Sequence, residues 1–483
     1  MKRSSLAHGS SVLLIFAALA LSSCSGLPQT TGGGGGGGGT GTGSVIVTVT
    51  STPSQTFFFP YLQWQILSVD LINSSADTNL LAGALPPVEF ARLQTDSQFI
   101  GIAKTFPAGT YTTAKIQLAP STASSYFFNS SGSTLLGCAA GAVCKIPNSV
   151  PGFAATTVTV PITFSLAANS STGFSLNFDL SKAVTSAGGM TFDFTQAGAI
   201  TLATLPRAGQ NPAGLDSFQN FTGTVQTVTS TTITISSLSS APLTFTVSST
   251  AEFDDPFHVC TTADFSCLKT NQNVSVDAFI NSDGTYTAYE VDFLDGAPAP
   301  LENEGIIVAP LSAGQFKMVV TNSTSISSGF LPGTLAIVTV NGASTYAVDP
   351  KNLFSTPPPT GFTSSSDLVV GQSVMLQGGS ADFTTNTLSG YTRTLLRYSN
   401  IGGTIQTPSG TIFTLAGVSP FFTNLTSNSV QVQTFPNTTY DNITGGFSGL
   451  TNVTNGSASV RGLYLNPNSG ATQPLLAAQV RAH

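Results

Sequence analysis

Apolar and polar residues alternate over short stretches along most of the chain from residue 44 onward. Val45 to Thr50, Val158 to Leu166 and Phe174 to Leu180 are clear examples, and turn-forming residues such as Pro107-Ala108-Gly109 separate such stretches. A period of two is typical of strands with one buried face, and many short strands between turns are typical of sandwiches and barrels. The pattern therefore predicts an all-β protein.

One segment has a weak helical pattern. Pro87 to Gln98 carries a few apolar side chains at a helical spacing, but the stripe is short. A stripe of this length predicts one or two helical turns at most. We therefore expect helix to contribute little to the fold.

The order of features repeats three times after about residue 215. The copies open at Gly223, Gly305 and Gly403, and each continues through several short apolar stretches to a closing strand. A recurring order predicts one supersecondary unit that is used three times, each copy burying a small core. A glycine at the start is typical of a bulge or of close backbone approach. The alternative is that any β-rich chain with many serines and threonines looks self-similar.

The first 24 residues have the pattern of an export signal. Met1-Lys2-Arg3 gives a positive start, Val12 to Leu21 is apolar, and Leu21-Ser22-Ser23-Cys24 follows. That order predicts a secretory signal, and the apolar run is too short to span a bilayer. The Leu-Ser-Ser-Cys ending resembles a bacterial lipobox, which implies that Cys24 is lipidated and becomes the new N-terminus. The alternative is an ordinary cleaved signal in which Cys24 is incidental.

A glycine-rich segment, residues 25–43, follows the cysteine and includes eight consecutive glycines, Gly32 to Gly39. Such a segment cannot bury enough surface to order itself. We expect a flexible linker with a root-mean-square reach of about 25 Å. Ser25, in place of an aspartate, resembles the pattern that is sorted to the outer membrane of Gram-negative bacteria. The predicted location is therefore the cell envelope, with the lipid in the outer membrane.

These patterns together predict six segments. They are a lipoprotein signal peptide, a flexible linker, a β-sandwich and three β-barrel repeats at residues 1–24, 25–43, 44–207, 220–298, 303–399 and 400–483. The second repeat carries an insertion, Pro357-Pro358-Pro359 with a serine cluster, which interrupts its strand register.

The composition narrows the choice of function. Apolar residues make up 41% of the chain and charged residues only 8%. This composition suits strands with one buried face and one face rich in hydroxyl groups. The formal net charge is −7, and no run of Lys or Arg offers a basic stripe. The absence of a basic surface excludes a nucleic-acid partner.

Four cysteines remain once Cys24 is set aside. Cys138 and Cys144 form one close pair in the sequence, and Cys260 and Cys267 form another. An even number of cysteines in an exported protein indicates disulfides. We therefore predict two local disulfides, Cys138–Cys144 and Cys260–Cys267. A zinc site that uses His258 is the alternative at the second pair.

Residues that carry chemistry are few. His258 is the only histidine outside the signal and the final position. The acidic groupings are Asp254, Asp255 and Asp264, and Asp292 with Asp295. The candidate metal ligands are Asp254, Asp255, His258 and Asp264. We predict that the protein has no cofactor. The alternative is a bound calcium ion, because oxygen-rich loops can hold calcium. Adjacent carboxylates on a strand point to opposite faces, which suits Asp254 and Asp255 poorly to shared acid–base work.

An aromatic cluster stands near the start of the predicted sandwich. It consists of Phe57, Phe58, Phe59, Tyr61 and Trp64. Neighbouring residues on a strand point to opposite faces, so at least one ring of three consecutive phenylalanines should face outward. Such a ring would be a stacking platform for a sugar; the alternative is that all five side chains are core.

Two parts of the chain resemble known domain families. Residues 44 to about 205 resemble an uncharacterised family of bacterial lipoprotein domains, through the opening strand, Pro107 to Tyr111 and Ser175 to Val184. The three later copies resemble a second uncharacterised family of small β-barrels, through Gly-Thr-Val starts and Gly-Gln-Ser-Val strands. The resemblance implies export and an all-β fold. Neither family brings an assigned reaction.

These observations predict a non-enzymatic, lipid-anchored protein of the cell envelope. We expect an adhesion or ligand-binding rod that contacts the membrane through its N-terminal lipid and binds a polysaccharide or an envelope protein. One alternative is a structural spacer that holds another component away from the outer membrane. The other is an exported hydrolase with its site near residues 254–267.

Overall fold

The computed structural model describes residues 41–483 apart from 55–56, 75, 83–84, 86, 120–124, 147–156, 186–189, 207–213, 238–239, 297–300, 312–313, 325–329, 352, 354–360, 426 and 470–473. Cys24, the linker up to residue 40 and the triple proline lie outside the described residues. The described part is built almost wholly from strands, which confirms the all-β prediction. None of its helices has the length and apolar character needed to cross a membrane.

The N-terminal module is a β-sandwich. Its strands are β1 (Thr42–Thr52), β2 (Leu62–Trp64), β3 (Ile66–Ile72), β4 (Asp77–Ala82), β5 (Val88–Glu89), β6 (Gln98–Pro107), β7 (Gly109–Leu118), β8 (Tyr126–Phe128), β9 (Val143–Lys145), β10 (Thr157–Leu166), β11 (Ser171–Asp179), β12 (Val184–Thr185), β13 (Thr191–Phe192) and β14 (Ile200–Thr204). The one α-helix described, α1, is Leu180–Ala183, and a 3₁₀ helix occupies Arg92–Gln94. The weak helical pattern at 87–98 therefore corresponds to a short strand and one 3₁₀ turn.

Two four-stranded sheets enclose the core of this module. One has the order β14-β11-β1-β6 and the other β10-β7-β3-β4, and β5-β2-β8-β9 forms a smaller sheet beside them. The rings of Phe164 and Phe174, one from each large sheet, lie 5.4 Å apart. Burial of such rings between two sheets is a main source of stability in a sandwich.

Strand β1 is buried on both faces. Val45, Val47 and Val49 lie in the sandwich core, whereas Ile46, on the opposite face, lies in the core of the next module. Phe99 on β6 packs against Tyr286 of that module with 5.5 Å between ring centroids. The three consecutive apolar residues at 45–47 are thus explained, because each face of β1 meets a different core.

The second module is a closed five-stranded barrel. Its strands are β15 (Asp216–Val228), β16 (Thr232–Ser237), β17 (Ser240–Asp254), β18 (Asn273–Ile280) and β19 (Tyr286–Phe293), and a 3₁₀ helix occupies Phe265–Cys267. The strands pair in the cyclic order β15-β16-β17-β19-β18. The pair β17–β19 is parallel and the other pairs are antiparallel.

Two further five-stranded units follow and share one long strand. Their strands are β20 (Glu302–Pro310), β21 (Gln315–Ser323), β22 (Leu335–Thr339), β23 (Thr345–Val348), β24 (Ser373–Asp382), β25 (Thr387–Ser409), β26 (Ile412–Ala416), β27 (Ser429–Gln433), β28 (Thr439–Asp441), β29 (Ser457–Tyr464) and β30 (Leu475–Ala482). Three 3₁₀ helices lie at Ser365–Asp367, Gly446–Val453 and Pro467–Ser469. Strand β25 runs across the predicted boundary between residues 399 and 400, so it closes the second unit and opens the third.

The two later units repeat the strand pairing of the barrel. In the second unit the cycle is β20-β21-β22-β25-β24, and in the third it is β25-β26-β27-β30-β29. In both, the pairing of the third strand with the last is parallel, as in the barrel. We refer to the three units as repeats 1, 2 and 3.

The opening glycines have the same role in all three repeats. A Cβ atom on Gly223, Gly305 or Gly403 would lie 2.1, 2.3 or 2.6 Å from a carbonyl oxygen of the next strand. No real Cβ approaches a carbonyl oxygen so closely, so only glycine lets these strands pack at their observed separation.

A residue in a left-handed backbone conformation precedes the fourth strand of each repeat. Asn271, Gly371 and Asn455 all have a positive φ, the left-handed conformation that asparagine and glycine tolerate best. The backbone N–H of each donates to the carbonyl two residues after the opening glycine, in Val225, Ile307 and Ile405.

The four modules pack into one compact body, so the expected extended rod is wrong. Arg481, near the C-terminus, donates to the carbonyl oxygens of Leu93 and Asp96 in the sandwich at 3.0 and 3.1 Å. Tyr61 and Phe128 of the sandwich are buried in a core that consists mainly of repeat 3. Modules that are distant in sequence therefore share buried contacts, which a linear arrangement does not allow.

Both predicted disulfides are present. Cys138 pairs with Cys144 across a short loop, and Cys260 pairs with Cys267 beside the 3₁₀ helix of repeat 1. Each closes a loop of only a few residues, and short loops gain little entropy from cross-linking. The disulfides therefore fix loop shape more than they stabilise the whole fold, and pairing Cys260 and Cys267 leaves no thiolate for the alternative zinc site.

The close approach at Gly223 leads to a stability prediction. The Gly223→Ala variant places a methyl group against the Ser236 carbonyl oxygen, so we expect a loss of roughly 2 to 3 kcal/mol. Urea unfolding followed by far-ultraviolet circular dichroism measures it. Gly342→Ala is the matched control, because nothing lies within 4 Å of a Cβ there and its φ is not left-handed. Equal stability of the two variants would contradict the role assigned to Gly223.

Candidate functional site

Three of the five predicted aromatic residues are core. Phe59 lies 5.6 Å from Phe192 between ring centroids and is buried. Tyr61 and Trp64 are buried as well, and the Trp64 indole N–H donates to the Ala119 carbonyl oxygen at 3.2 Å. Because the polar atom of the indole is satisfied inside the protein, this ring is structural.

Tyr61 joins two modules. Its hydroxyl donates to Gln63 Oε1 at 2.6 Å, and its ring is part of the core of repeat 3. Burial raises the pKa of Tyr61 far above its usual range, with Glu89 adding to the effect. The side chain therefore stays neutral and serves packing.

Phe57 and Phe58 are only half-buried. Phe58 packs against two rings of repeat 3, Phe421 and Phe422, with 5.1 Å between ring centroids in each case. Phe57 packs against the sandwich core instead. Consecutive rings thus reach different modules, and both border open space.

Phe57 and Phe58 line a groove of about 500 Å³ between the sandwich and repeats 2 and 3. We call it the phenylalanine groove. Phe421, Val308 and Val370 extend its apolar wall, and Ser131 and Thr423 add hydroxyl groups. An apolar wall with a few polar groups is the general character of a small-ligand site.

A second, larger cavity of about 950 Å³ lies between the sandwich and the C-terminal strand. Its lining includes Thr50, Asn177, Thr201 and Arg481. Among the described residues that line it there is no Phe, Tyr or Trp ring. A sugar would therefore find hydrogen-bonding groups there but no stacking surface.

The structure separates the four predicted metal ligands. Asp255 accepts the backbone N–H groups of Val259 and Cys260 at 2.8 Å each, and Asp264 accepts that of Ser266 at 2.8 Å. These carboxylates shape the loop. The side chain of His258 is exposed on a residue with a positive φ.

Asp254 is the last residue of β17 and lies beside two buried aspartates. One carboxylate oxygen from each of Asp254, Asp292 and Asp349 lies within 4.8 Å of the other two. This is the group of three potential metal ligands found among the described residues, and it contains one of the four predicted ligands.

These aspartates belong to a larger set of charged side chains between repeats 1 and 2. Six carboxylates surround two cations there, and we call the set the buried charge cluster: Asp254, Asp277, Glu290, Asp292, Glu304, Asp349, Lys351 and Arg397. Charges withdrawn from water need close partners, and the cations have several.

Lys351 of repeat 2 contacts three carboxylates of repeat 1. Its Nζ lies 2.7 Å from Asp292 Oδ2, 3.0 Å from Asp277 Oδ1 and 3.8 Å from Glu290 Oε1, and the side chain is 3% exposed. Burial alone would lower the pKa of Lys351, but these carboxylates raise it well above its usual value. The ammonium group therefore stays charged.

Arg397 on β25 is fully buried. Its Nη1 lies 2.7 Å from Asp349 Oδ2, and its Nη2 donates to Ser275 Oγ of repeat 1 at 2.8 Å. Burial, together with the neighbouring Asp349 carboxylate, raises the pKa of Asp292 above its usual range. The positive charges of the two cations therefore do not fully balance the negative charges of the carboxylates around them.

Sequence reasoning missed Lys351, Arg397 and Asp349. A signal existed, because Arg397 interrupts the apolar run Leu395-Leu396-Arg397-Tyr398 in a chain that has few cations. It also missed Phe421 and Phe422, although two adjacent rings after Ser419-Pro420 resemble the Phe57–Phe59 run.

Part of the chain matches a known protein family. Residues 222–292 match a family described as a domain of unknown function, DUF5666. The matched segment is similar to that family across most of repeat 1, and the description assigns no activity. No match to a curated protein was found.

Glu302, on β20, yields a prediction about pH. Burial raises the pKa of Glu302 to about 8; Asp295 adds to the shift, while Gln377 and Arg397 act against it. The folded protein then binds a proton that the unfolded chain releases near its ordinary pKa. We therefore expect the free energy of unfolding to fall as pH rises from about 5 to about 8.

The Glu302→Gln variant tests this, because the amide keeps an oxygen to accept the Gln377 N–H group, which lies 2.5 Å from Glu302 Oε1. We expect a shallower pH dependence of the urea midpoint and higher stability than the parent protein at pH 8. Asp382→Asn is the control: hydrogen bonds to Thr385 lower the pKa of Asp382, so its titration lies below this window. An unchanged slope in Glu302→Gln would refute the assignment.

Proposed function

We propose that this protein is a non-enzymatic, lipid-anchored component of the cell envelope that binds carbohydrate in the phenylalanine groove. The observation that carries the proposal is the meeting of Phe57, Phe58 and Phe421 at one open groove. Sugar rings have apolar faces that pack on aromatic side chains, and hydroxyl edges that need hydrogen-bond partners. Ser131 and Thr423 at the groove supply hydroxyl groups of that kind.

The sequence supports the anchoring part of the proposal. The Leu-Ser-Ser-Cys ending of the signal resembles a lipobox, and the glycine-rich segment after Cys24 would give the body freedom to move away from the bilayer. The two disulfides are in keeping with an oxidising compartment. An outer-membrane location follows from Ser25 in a Gram-negative host.

Support for a binding role over hydrolysis comes from the loop at 254–267. Asp255 and Asp264 are engaged by backbone N–H groups, and Asp254 groups with Asp292 and Asp349. Among the described residues His258 belongs to no group of three such ligands, which supports a binding role over the hydrolase alternative.

The groove predicts which side chains control binding. Phe58→Ala and Phe421→Ala should each weaken retention on an immobilised polysaccharide about fivefold, since loss of one ring contact costs about 1 kcal/mol. Binding of the full-length protein to a panel of envelope and plant polysaccharides, followed by titration of any that retain it, measures this.

Phe383→Ala is the matched control for those variants. Phe383 is 54% exposed and does not line the groove, so its loss should leave retention unchanged. A protein that no polysaccharide retains, or a Phe58→Ala variant that binds as well as the parent with an intact circular dichroism spectrum, would rule the groove out.

Lipidation has a separate test. Cys24→Ala should abolish incorporation of a labelled fatty acid and move the protein from the membrane fraction to the soluble fraction. Ser25→Ala keeps the modified cysteine and should remain membrane-bound. Retention of label by Cys24→Ala would show that Cys24 is incidental.

A further inference from the structure

Repeats 1 and 3 carry different charges at one position of the shared strand register. In repeat 3, Asp441 is in register with Arg481 and the two side chains pair at 2.6 Å, with Ser459 of the fourth strand opposite Arg481. Repeat 2 has Leu395 at that position, opposite Met375, and its own pair, Asp349 with Arg397 at 2.7 Å, lies two residues further along the last strand.

The equivalent pair in repeat 1 is Asp254 with Asp292, and Ser275 of the fourth strand lies opposite Asp292. An aspartate therefore stands where repeat 3 places an arginine. Two carboxylates in register on adjacent strands repel each other, and Asp292 is fully buried. A positive charge that repeat 3 carries within the strand has to come from elsewhere in repeat 1.

Lys351 supplies part of that charge, but not all of it. The buried charge cluster has six carboxylates and two cations, an excess of four negative charges when all are ionised. Arg397 is already engaged by Asp349, and Lys351 by three carboxylates. A divalent cation would halve the excess.

Two carboxylate oxygens of the group have no partner. Asp292 and Asp349 each use Oδ2 to bind a cation, while Asp292 Oδ1 and Asp349 Oδ1 are buried without a hydrogen bond. A buried oxygen with no donor loses its hydration without compensation. Both residues are fully buried, and the third member, Asp254, is half-buried and connects the group to solvent.

We propose that Asp254, Asp292 and Asp349 bind one Ca²⁺ ion between repeats 1 and 2. The three residues offer only carboxylate oxygen, which hard cations prefer. Their oxygens lie within 4.8 Å of one another. Oxygens this close together can reach a single Ca²⁺ ion at its usual distance of about 2.4 Å, and the flexible coordination of calcium suits such a group better than the strict octahedron that magnesium requires.

The ion would join two modules. Asp254 and Asp292 belong to repeat 1, and Asp349 belongs to repeat 2. Binding would therefore stabilise the contact between them, in addition to the ion pairs of Lys351 and Arg397. The site is separate from the phenylalanine groove and does not depend on the proposed function.

Equilibrium dialysis of the full-length protein with ⁴⁵Ca²⁺, after removal of metal with EDTA, tests the proposal. We expect one ion per chain below 1 mM free Ca²⁺, and a rise in the thermal midpoint of about 5 °C with Ca²⁺ present. No bound ion at 1 mM, or equal affinity for Mg²⁺, would overturn the assignment. The dialysis uses the parent protein, so its result does not depend on how a variant folds.

Asp254→Asn, at the half-buried member, should lower the affinity for Ca²⁺ at least tenfold and remove most of the thermal shift. Asp264→Asn is the control in the same loop, because Asp264 serves as a helix cap that asparagine can replace, and it should bind as the parent does. If Asp254→Asn bound Ca²⁺ like the parent, or if Asp264→Asn lost binding equally, the proposed site would be wrong.

Discussion

Buried charges at the boundaries between modules are the constraint on which the arrangement of this protein depends. Lys351 of repeat 2 is surrounded by carboxylates of repeat 1, and Arg481 of repeat 3 donates to two carbonyl oxygens of the sandwich. Taking a charge out of water costs several kcal/mol unless its partners are in place. An altered packing of the modules would bury these charges without partners. We infer that the charges fix which arrangement forms, while the apolar cores supply most of the stability.

The repeats show how one unit is adapted to different neighbours. Each keeps the opening glycine, the left-handed residue before the fourth strand and the same cycle of strand pairs. The repeats differ in their buried charges. In repeats 2 and 3 an aspartate pairs with an arginine of the same repeat, whereas the buried carboxylates of repeat 1 pair with Lys351 of repeat 2. The buried carboxylates of repeat 1 therefore have this cationic partner only when repeat 2 is docked on repeat 1.

The sequence allowed the local features to be predicted but not the contacts between modules. Strand alternation, the three opening glycines and both disulfides depend on residues close together in the chain, and all are found in the fold. The partners of Phe58 and Lys351 lie far away in sequence, so no spacing rule revealed them. The rod was a wrong expectation for the same reason, because a repeat pattern gives the unit but not the packing of one unit on another. Phe59 and Trp64 are core because rings of the sandwich such as Phe192 cover them, and Tyr61 is core because it packs into repeat 3.

The sandwich and the three repeats form one compact body held by buried polar contacts. Small-angle X-ray scattering of the chain from Gly39 onward measures whether this packing exists in solution. A compact body of this length has a radius of gyration of about 22 Å. A value near that figure, unchanged by moderate salt, is the predicted result. A value above about 30 Å, as expected for four modules in a line, would show that the modules do not pack on one another.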